Sequence, residues 1–248
     1  MTLEPRSTPV GRFRLHSVHT GAGPPAVLLH GLAGSHRWWR TTIPALARTH
    51  RVHVPELIGF ARNPAAGPLP DIARTAELIV EWLDALGIER PHLVGHSMGG
   101  QIAIHLAARQ PDRVARLVLV DAAGIPRQRP LAELVRLLAE LIPPPAWGRP
   151  SFLPTIARDA LRMGPLALAA AARRLLADDV RPLLPTIRSP TLLIWGRLDP
   201  LTPLDHAWTL ADGIPDARLC IIPDAAHNPM VDRPEAFNEI LTSFLAGS

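Results

Sequence analysis

The stretch Leu93-Val94-Gly95-His96-Ser97-Met98-Gly99-Gly100 constrains this chain more than any other. An apolar run ends at Gly95, a serine stands among small residues, and Gln101-Ile102-Ala103-Ile104-His105-Leu106-Ala107-Ala108 continues as a helix. The G-x-S-x-G spacing suits a strand that turns into a helix so sharply that the glycines must let backbones touch, while the serine is held strained and outward. Such a turn presents one hydroxyl. It also aims the unpaired N–H groups of the helix start at the place where a negative oxygen would form.

At 248 residues, 47% of them hydrophobic, the chain fits one large domain, which at this size buries roughly 70–75% of its unfolded surface. Residues Met1 to Ser17 carry charges and prolines with no apolar core, so no signal peptide is expected. No later run is long and uncharged enough to span a bilayer, and a cytoplasmic location is the expectation. Cys220 is the one cysteine, which excludes an intramolecular disulfide and a thiolate metal cluster. Every basic side chain other than histidine is arginine, the net charge is only +4, and the arginines are dispersed rather than interleaved with aromatics. That pattern argues against a nucleic-acid partner. Absence of Lys and Tyr beside abundant Arg, Pro and Ala reads as GC-rich codon usage and leaves a thermophilic source open.

In chain order, Val10 to Ser17 alternates weakly and is expected as an edge strand, and Ala26 to Leu29 is a continuous apolar run of the kind buried on both faces. A helix is expected from Ser35 into Ala47, then a strand over Val52 to Val54. Asp71 opens a helix whose Ile72, Ala76, Ile79, Leu83 and Leu86 share one face, and Gly87 closes it. Further strands are expected over Val114–Val120, Thr191–Trp195 and Arg218–Ile222, with Thr202 capping a helix that begins at Pro203 and a last helix over Pro234–Leu245. Alternation of strand and helix predicts an α/β fold: a mostly parallel sheet with helices on both faces. The rhythm stops between residues 124 and 185, where Leu131, Leu134, Val135, Leu138, Leu141 and Ile142 fall on one helical face before Pro143-Pro144-Pro145. This predicts a helical cap, residues 124–185, inserted after the sixth strand into a core of residues 1–123 and 186–248.

Ser97, Asp199 and His227 stand at the ends of three different strands. A serine hydroxyl needs a base to become nucleophilic, and an imidazole titrates near neutral pH. His227 would be that base, and Asp199 would fix its tautomer and stabilise the imidazolium. Asp121, also at a strand end, is the competing candidate for the orienting role. The oxyanion donors would be the backbone N–H groups of Met98 and Leu32. Trp38, from the Trp38-Trp39 pair, and His96 are candidate pocket residues, although packing or hydrogen bonding suits His96 better than acting as a base. His30 is expected to hold the oxyanion loop. His36, His53, His105 and His206 show no ligand spacing, so no metal is expected.

Taken together, His30-Gly31, Gly95 to Gly100, Gly196-Arg197-Leu198-Asp199-Pro200 and Ala226-His227-Asn228-Pro229 resemble the α/β-hydrolase superfamily, and within it the small cap-bearing serine esterases. The resemblance runs from about Gly11 to the end and implies the same roles for Ser97, Asp199, His227, Leu32 and Met98. One stretch departs from it: where the family commonly has Asp and a small turn, this chain reads Pro55-Glu56-Leu57-Ile58-Gly59-Phe60-Ala61-Arg62-Asn63. Relatives that open epoxides or remove halides carry Asp at the elbow, lyases resembling this fold rely on Lys, dienelactone-type enzymes use Cys, and proline iminopeptidases usually have a His-Gly-Gly-Pro-Gly loop. What remains is a cofactor-free carboxylesterase cleaving a small hydrophobic ester, with thioesters and lactones within range. Two alternatives stay open: a carbon–carbon hydrolase of ring-cleavage products, and a ligand-sensing protein with slow or no turnover. Monomer and homodimer are both open.

Overall fold

The computed structural model describes residues 2–63, 68–126 and 150–247. Eight strands form one sheet: β1 (Glu4–Val10), β2 (Phe13–Thr20), β3 (Pro25–Leu29), β4 (Arg51–Pro55), β5 (His92–His96), β6 (Arg116–Val120), β7 (Thr191–Gly196) and β8 (Ala217–Ile222). Their order is β1-β2-β4-β3-β5-β6-β7-β8. β1 and β2 run antiparallel to their neighbours, and β4 onward is parallel.

The apolar runs are continuous because helices cover both faces. Leu93, Leu117, Leu119, Leu193 and Trp195 point into one core, while Val94, Val118, Val120, Leu192 and Ile194 point into the other. The first core is closed by α2 (Ile72–Ala85), α3 (Met98–Arg109) and α6 (Leu204–Gly213), the second by α1 (Thr42–Leu46), α7 (Pro229–Asp232) and α8 (Pro234–Ala246).

Three local expectations are corrected. The first strand is a hairpin, because Gly11 takes φ +52° and turns the chain between Val10 and Phe13. The helix expected from Ser35 to Ala47 is divided: Ser35 caps a short 3₁₀ turn over His36–Trp39, and α1 starts only at Thr42. Thr202 is not a helix cap. The cap of α6 is Pro203 in extended backbone, and the Thr202 hydroxyl is hydrogen-bonded to Asp199 instead.

Between β6 and β7 lie α4 (Leu153–Met163) and α5 (Pro165–Ala177). The helical face expected over residues 131–142 and the following prolines lie outside the described residues. The segment is pinned at its base, since Val180 N–H donates to the Gly124 carbonyl at 2.9 Å. It is seated on α3, where Gln101 Nε2 and His105 Nε2 bond Asp178 Oδ2 at 2.7 and 2.9 Å. It reaches the β3 end through α4: Asp159, fully buried, accepts from Ser35 Oγ at 2.6 Å and from Trp38 Nε1 at 3.2 Å.

Candidate active site

Ser97 follows β5 with φ 53° and ψ −117°, a conformation that only a surrounding structure can impose on a non-glycine residue. What imposes it is contact. A Cβ on Gly95 would run into the Gly99 carbonyl, and one on Gly99 into the Leu29 carbonyl, so neither position tolerates a side chain. The Ser97 N–H donates to Val120 O at 2.9 Å, and its carbonyl accepts from Gly100, Gln101 and Ala123. Met98 is the first residue of α3, so its N–H has no intrahelical acceptor.

The loop after β3 presses on this turn. A Cβ on Gly31 would lie 2.9 Å from His96 Nδ1 and 3.1 Å from Ser97 Cβ, so the backbone of this loop packs directly against the elbow. His30 is fully buried and holds the loop as expected: Nδ1 bonds the Gly31 carbonyl at 2.9 Å, and Nε2 accepts from Leu57 N at 3.0 Å. Burial lowers its pKa, which keeps the ring neutral as these two bonds require.

The segment after β4, the one that departs from the family pattern, is built around Glu56. Its buried carboxylate takes His36 Nδ1 at 2.6 Å and Arg62 N at 3.1 Å, and its carbonyl accepts from Asn63 Nδ2. Asn63 Oδ1 in turn accepts from His16 N at 3.0 Å. Glu56 and Asn63 thus tie the loop internally, and Ala61 at φ +48° completes the turn.

β7 delivers Asp199 and β8 delivers His227, with His227 Nδ1 2.8 Å from Asp199 Oδ2. The remaining Asp199 lone pairs accept from Leu201 N at 2.7 Å, Thr202 N at 3.1 Å and the Thr202 hydroxyl. Burial pushes the Asp199 pKa up. The adjacent His227 and the Thr202 bonds outweigh it and hold the carboxyl below its ordinary range. Asp121 is the opposite case: burial first, then the neighbouring Asp199 charge, raise its pKa well above the ordinary value. Two carboxyls side by side are driven apart, one toward its ionised form and the other toward its protonated form. Asp121 Oδ1 accepts from Gly196 N at 2.9 Å and makes no bond to His227.

His96 is fully buried and its Nε2 donates to the His227 carbonyl at 2.7 Å. Burial drops its pKa to about 3. It therefore anchors the His227 loop and stays neutral. Trp38 stands 5.6 Å from the His96 ring and 5.5 Å from Phe152, centroid to centroid, with its indole N–H committed to Asp159. His96, Asp121 and His227 bring ligand-type atoms within 4.8 Å of one another; each commits one polar atom to a protein partner, while His96 Nδ1 and Asp121 Oδ2 have none among the described residues. A small apolar cavity of about 20 Å³ lies beside the elbow between Ile58, Phe60, Met98, Ile102 and Arg174.

Residues 24–164 and 162–234 match the family model for the alpha/beta hydrolase fold. The chain belongs to the α/β-hydrolase family. It is 31% identical to a 2-hydroxy-6-oxo-6-phenylhexa-2,4-dienoate hydrolase of Burkholderia cepacia, over 96% of this chain and 93% of that protein. It is 31% identical to a pimeloyl-[acyl-carrier protein] methyl ester esterase of Aeromonas hydrophila subsp. hydrophila, over 91% and 96%. The crystal structure of the enol-lactonase from Burkholderia xenovorans LB400 superposes with a TM-score of 0.88 at 25% identity, covering 97% of this chain and all of that one. The chain is a hydrolase of this fold. No described helix is long and apolar enough to cross a membrane.

Sequence reasoning did not single out Asp159, Thr202 as a partner of Asp199, or Arg174. Asp159 and Arg174 lie in stretches without a motif and Thr202 reads locally as a helix cap, so only the tertiary contacts mark them.

Proposed function

We propose that this hydrolase cleaves a carboxylic ester, thioester or lactone through an acyl-enzyme on Ser97. The 2.8 Å contact between His227 Nδ1 and Asp199 Oδ2 carries this reading. An ionised Asp199 accepts a hydrogen bond from the His227 Nδ1–H, which leaves Nε2 with the lone pair that accepts the Ser97 hydroxyl proton. Ser97 Oγ then bonds to the carbonyl carbon. The resulting oxyanion is held by the N–H groups of Met98 and Leu32, each worth about 2.7–4 kcal/mol in such sites. His227 returns the proton to the leaving alkoxide, and water releases the acyl group by the same steps in reverse order. We read residues 124–185 as the cap, a reading supported for its described part by the Ser35–Asp159 and Gln101–Asp178 contacts. Trp38 and His96 form the aromatic backing behind the elbow, and the apolar side chains of Ile58, Phe60 and Met98 beside it suit a hydrophobic substrate.

The relatives named for a methyl ester and for an enol lactone support ester-type substrates. The dienoate hydrolase favours a second reading, cleavage of a carbon–carbon bond next to a ketone. A screen of p-nitrophenyl esters of increasing acyl length, with Ser97→Ala as control, separates the two. Serine-dependent turnover peaking at one length is the expected result. Folded protein that turns over none of them, yet consumes a vinylogous diketone acid, replaces it with the second reading. Ester turnover that survives in Ser97→Ala removes Ser97 as nucleophile.

A further inference from the structure

A second concavity lies against the β1–β2 hairpin. It measures about 310 Å³ and is lined on one side by Arg12, Phe13, Arg14 and His16, on the other by Ile58, Arg62 and Asn63 of the segment after β4. Alternation along β2 turns Leu15 and Ser17 inward and leaves Arg14 and His16 on the outer side. Asn63 ties the two sides together: its Oδ1 accepts from His16 N at 3.0 Å, and its Nδ2 donates to the Glu56 carbonyl. Arginines from two separate stretches of the sequence are thereby gathered around one cleft, and no carboxylate stands among its described lining residues.

Little of that charge is spent on the protein. Arg12 lies over the Phe13 ring at 4.9 Å and has no acidic partner among the described residues. Arg14 reaches the Ser7 hydroxyl and carbonyl at 3.3 and 3.4 Å, both uncharged acceptors. Arg62 Nε stands 3.7 Å from Glu56 Oε2, beyond hydrogen-bond reach, and that buried carboxylate already accepts from His36 Nδ1 and the Arg62 backbone N–H. Glu81, the acid beside Gly11 at the hairpin turn, bonds Arg74 at 2.9 Å. Three like charges around a concave surface focus a positive field, which draws in an anion of matching charge.

We propose that this cleft binds a diphosphate group, free or carried on an organic molecule, through the guanidinium groups of Arg12, Arg14 and Arg62. Planar guanidinium forks take phosphoryl oxygens in pairs, and a diphosphate offers enough oxygens and enough charge for all three. A lone carboxylate satisfies one fork and neutralises one charge. Among the described residues only Ile58 lines both this cleft and the cavity beside the elbow, and neither Ser97 nor His227 lines the cleft. The anion site is therefore separate from the reacting centre, and it stands whether or not the chain cleaves esters.

The test is calorimetric titration of the full chain with inorganic diphosphate, with ADP and with succinate, in magnesium-free buffer. The expected result is saturable binding of diphosphate that weakens as salt is added, with succinate much weaker. Affinity falls about tenfold or more in each of Arg12→Gln and Arg62→Gln, the usual weight of a charge-assisted hydrogen bond, and by less in Arg62→Lys. The Arg12→Gln, Arg14→Gln, Arg62→Gln triple variant loses binding while its melting stays close to that of the wild type. ADP binding tighter than diphosphate assigns an organic carrier, and equal binding assigns the free anion; either sustains the site. Hydrogen exchange locates it: bound diphosphate slows the amides of residues 12–16 and 56–63. No binding of diphosphate or ADP at millimolar concentration, succinate bound as well as diphosphate, affinity unchanged in the single variants, or protection confined to other segments overturns the proposal. None of these readouts depends on turnover, so the ester reading and the anion site fail separately.

Discussion

The Ser35 hydroxyl donates to Asp159 Oδ2 across 2.6 Å, joining the loop that follows β3 to α4 of the inserted helices. Trp38 Nε1 shares the same oxygen. Removing the acceptor in Asp159→Ala leaves two buried donors unmade, at about 1–3 kcal/mol each. Melting should drop by about 2–4 °C per kcal/mol in a chain of this size. Because the loop carries Leu32, kcat should fall as well. Asp159→Asn keeps an oxygen for Ser35 and should lose less on both counts. Thermal melts and ester turnover of the two variants check this, and an unchanged Asp159→Ala would make the contact incidental.

The two aspartates beside His227 should behave very differently when made into amides. Asp199→Asn cannot hold the correct His227 tautomer, so turnover should fall about 10³–10⁴-fold with the fold intact. Asp121→Asn keeps the oxygen that Gly196 needs, and burial with the neighbouring Asp199 charge already favours the uncharged form of Asp121. It should lose less than about tenfold. The reverse ranking, measured as kcat side by side, would hand the orienting role to Asp121.

Acid should destabilise the folded chain through its buried histidines. His19 Nδ1 and His53 Nδ1 are 2.8 Å apart, and Ser17 takes His19 Nε2 at 2.6 Å. Burial, then the neighbouring arginines for His19 and His19 itself for His53, lowers both pKa values from 6.5 to about 4. Above 6.5 both the folded and unfolded chains hold these rings neutral. Below it the unfolded chain binds protons that the folded one refuses, so stability falls as pH drops from 6.5 toward 4 and levels off beneath. Urea midpoints measured across that window should decline. The His19→Gln, His53→Gln double variant should show a shallower decline, with the other buried histidines, His30, His50, His92 and His96, contributing to the remainder.

Gly99→Ala should abolish soluble folded protein, because the new Cβ would enter the Leu29 carbonyl and backbone cannot step aside. Gly87→Ala is the matched comparison. It has open space for a Cβ but sits at φ +68°, so its cost is strain alone, about 1–2 kcal/mol. Expression and melting of the pair test whether space at the elbow, rather than glycine count, is what matters.

Much of this architecture was legible because both faces of the sheet are covered, so the central strands advertise themselves as unbroken apolar runs such as Val27–Leu29 and Leu117–Val120. The elbow was legible because a backbone contact leaves glycine as the one option at Gly95 and Gly99. β1 was not, since Pro5, Arg6 and Pro9 are unlike any buried strand. Thr202 next to Pro203 reads locally as a helix cap, but a tertiary bond to Asp199 claims its hydroxyl. Asp159 and Arg174 look in sequence like ordinary solvent-facing positions of arginine-rich helices. What distinguishes them is what lies opposite, Ser35 and Trp38 in one case and a cavity in the other, and neither neighbour is near in the chain.

The β1–β2 hairpin has a consequence for how the molecule behaves in a crowd. Val10 faces Phe13 across the tight turn, so residues 5, 7 and 9 of β1 direct their backbone groups away from β2, toward solvent. Two of those three are proline and offer no N–H, and Arg6 adds charge to the same margin. Another polypeptide cannot zip onto this side of the sheet, so self-association by strand addition is blocked there by the covalent structure of the chain itself.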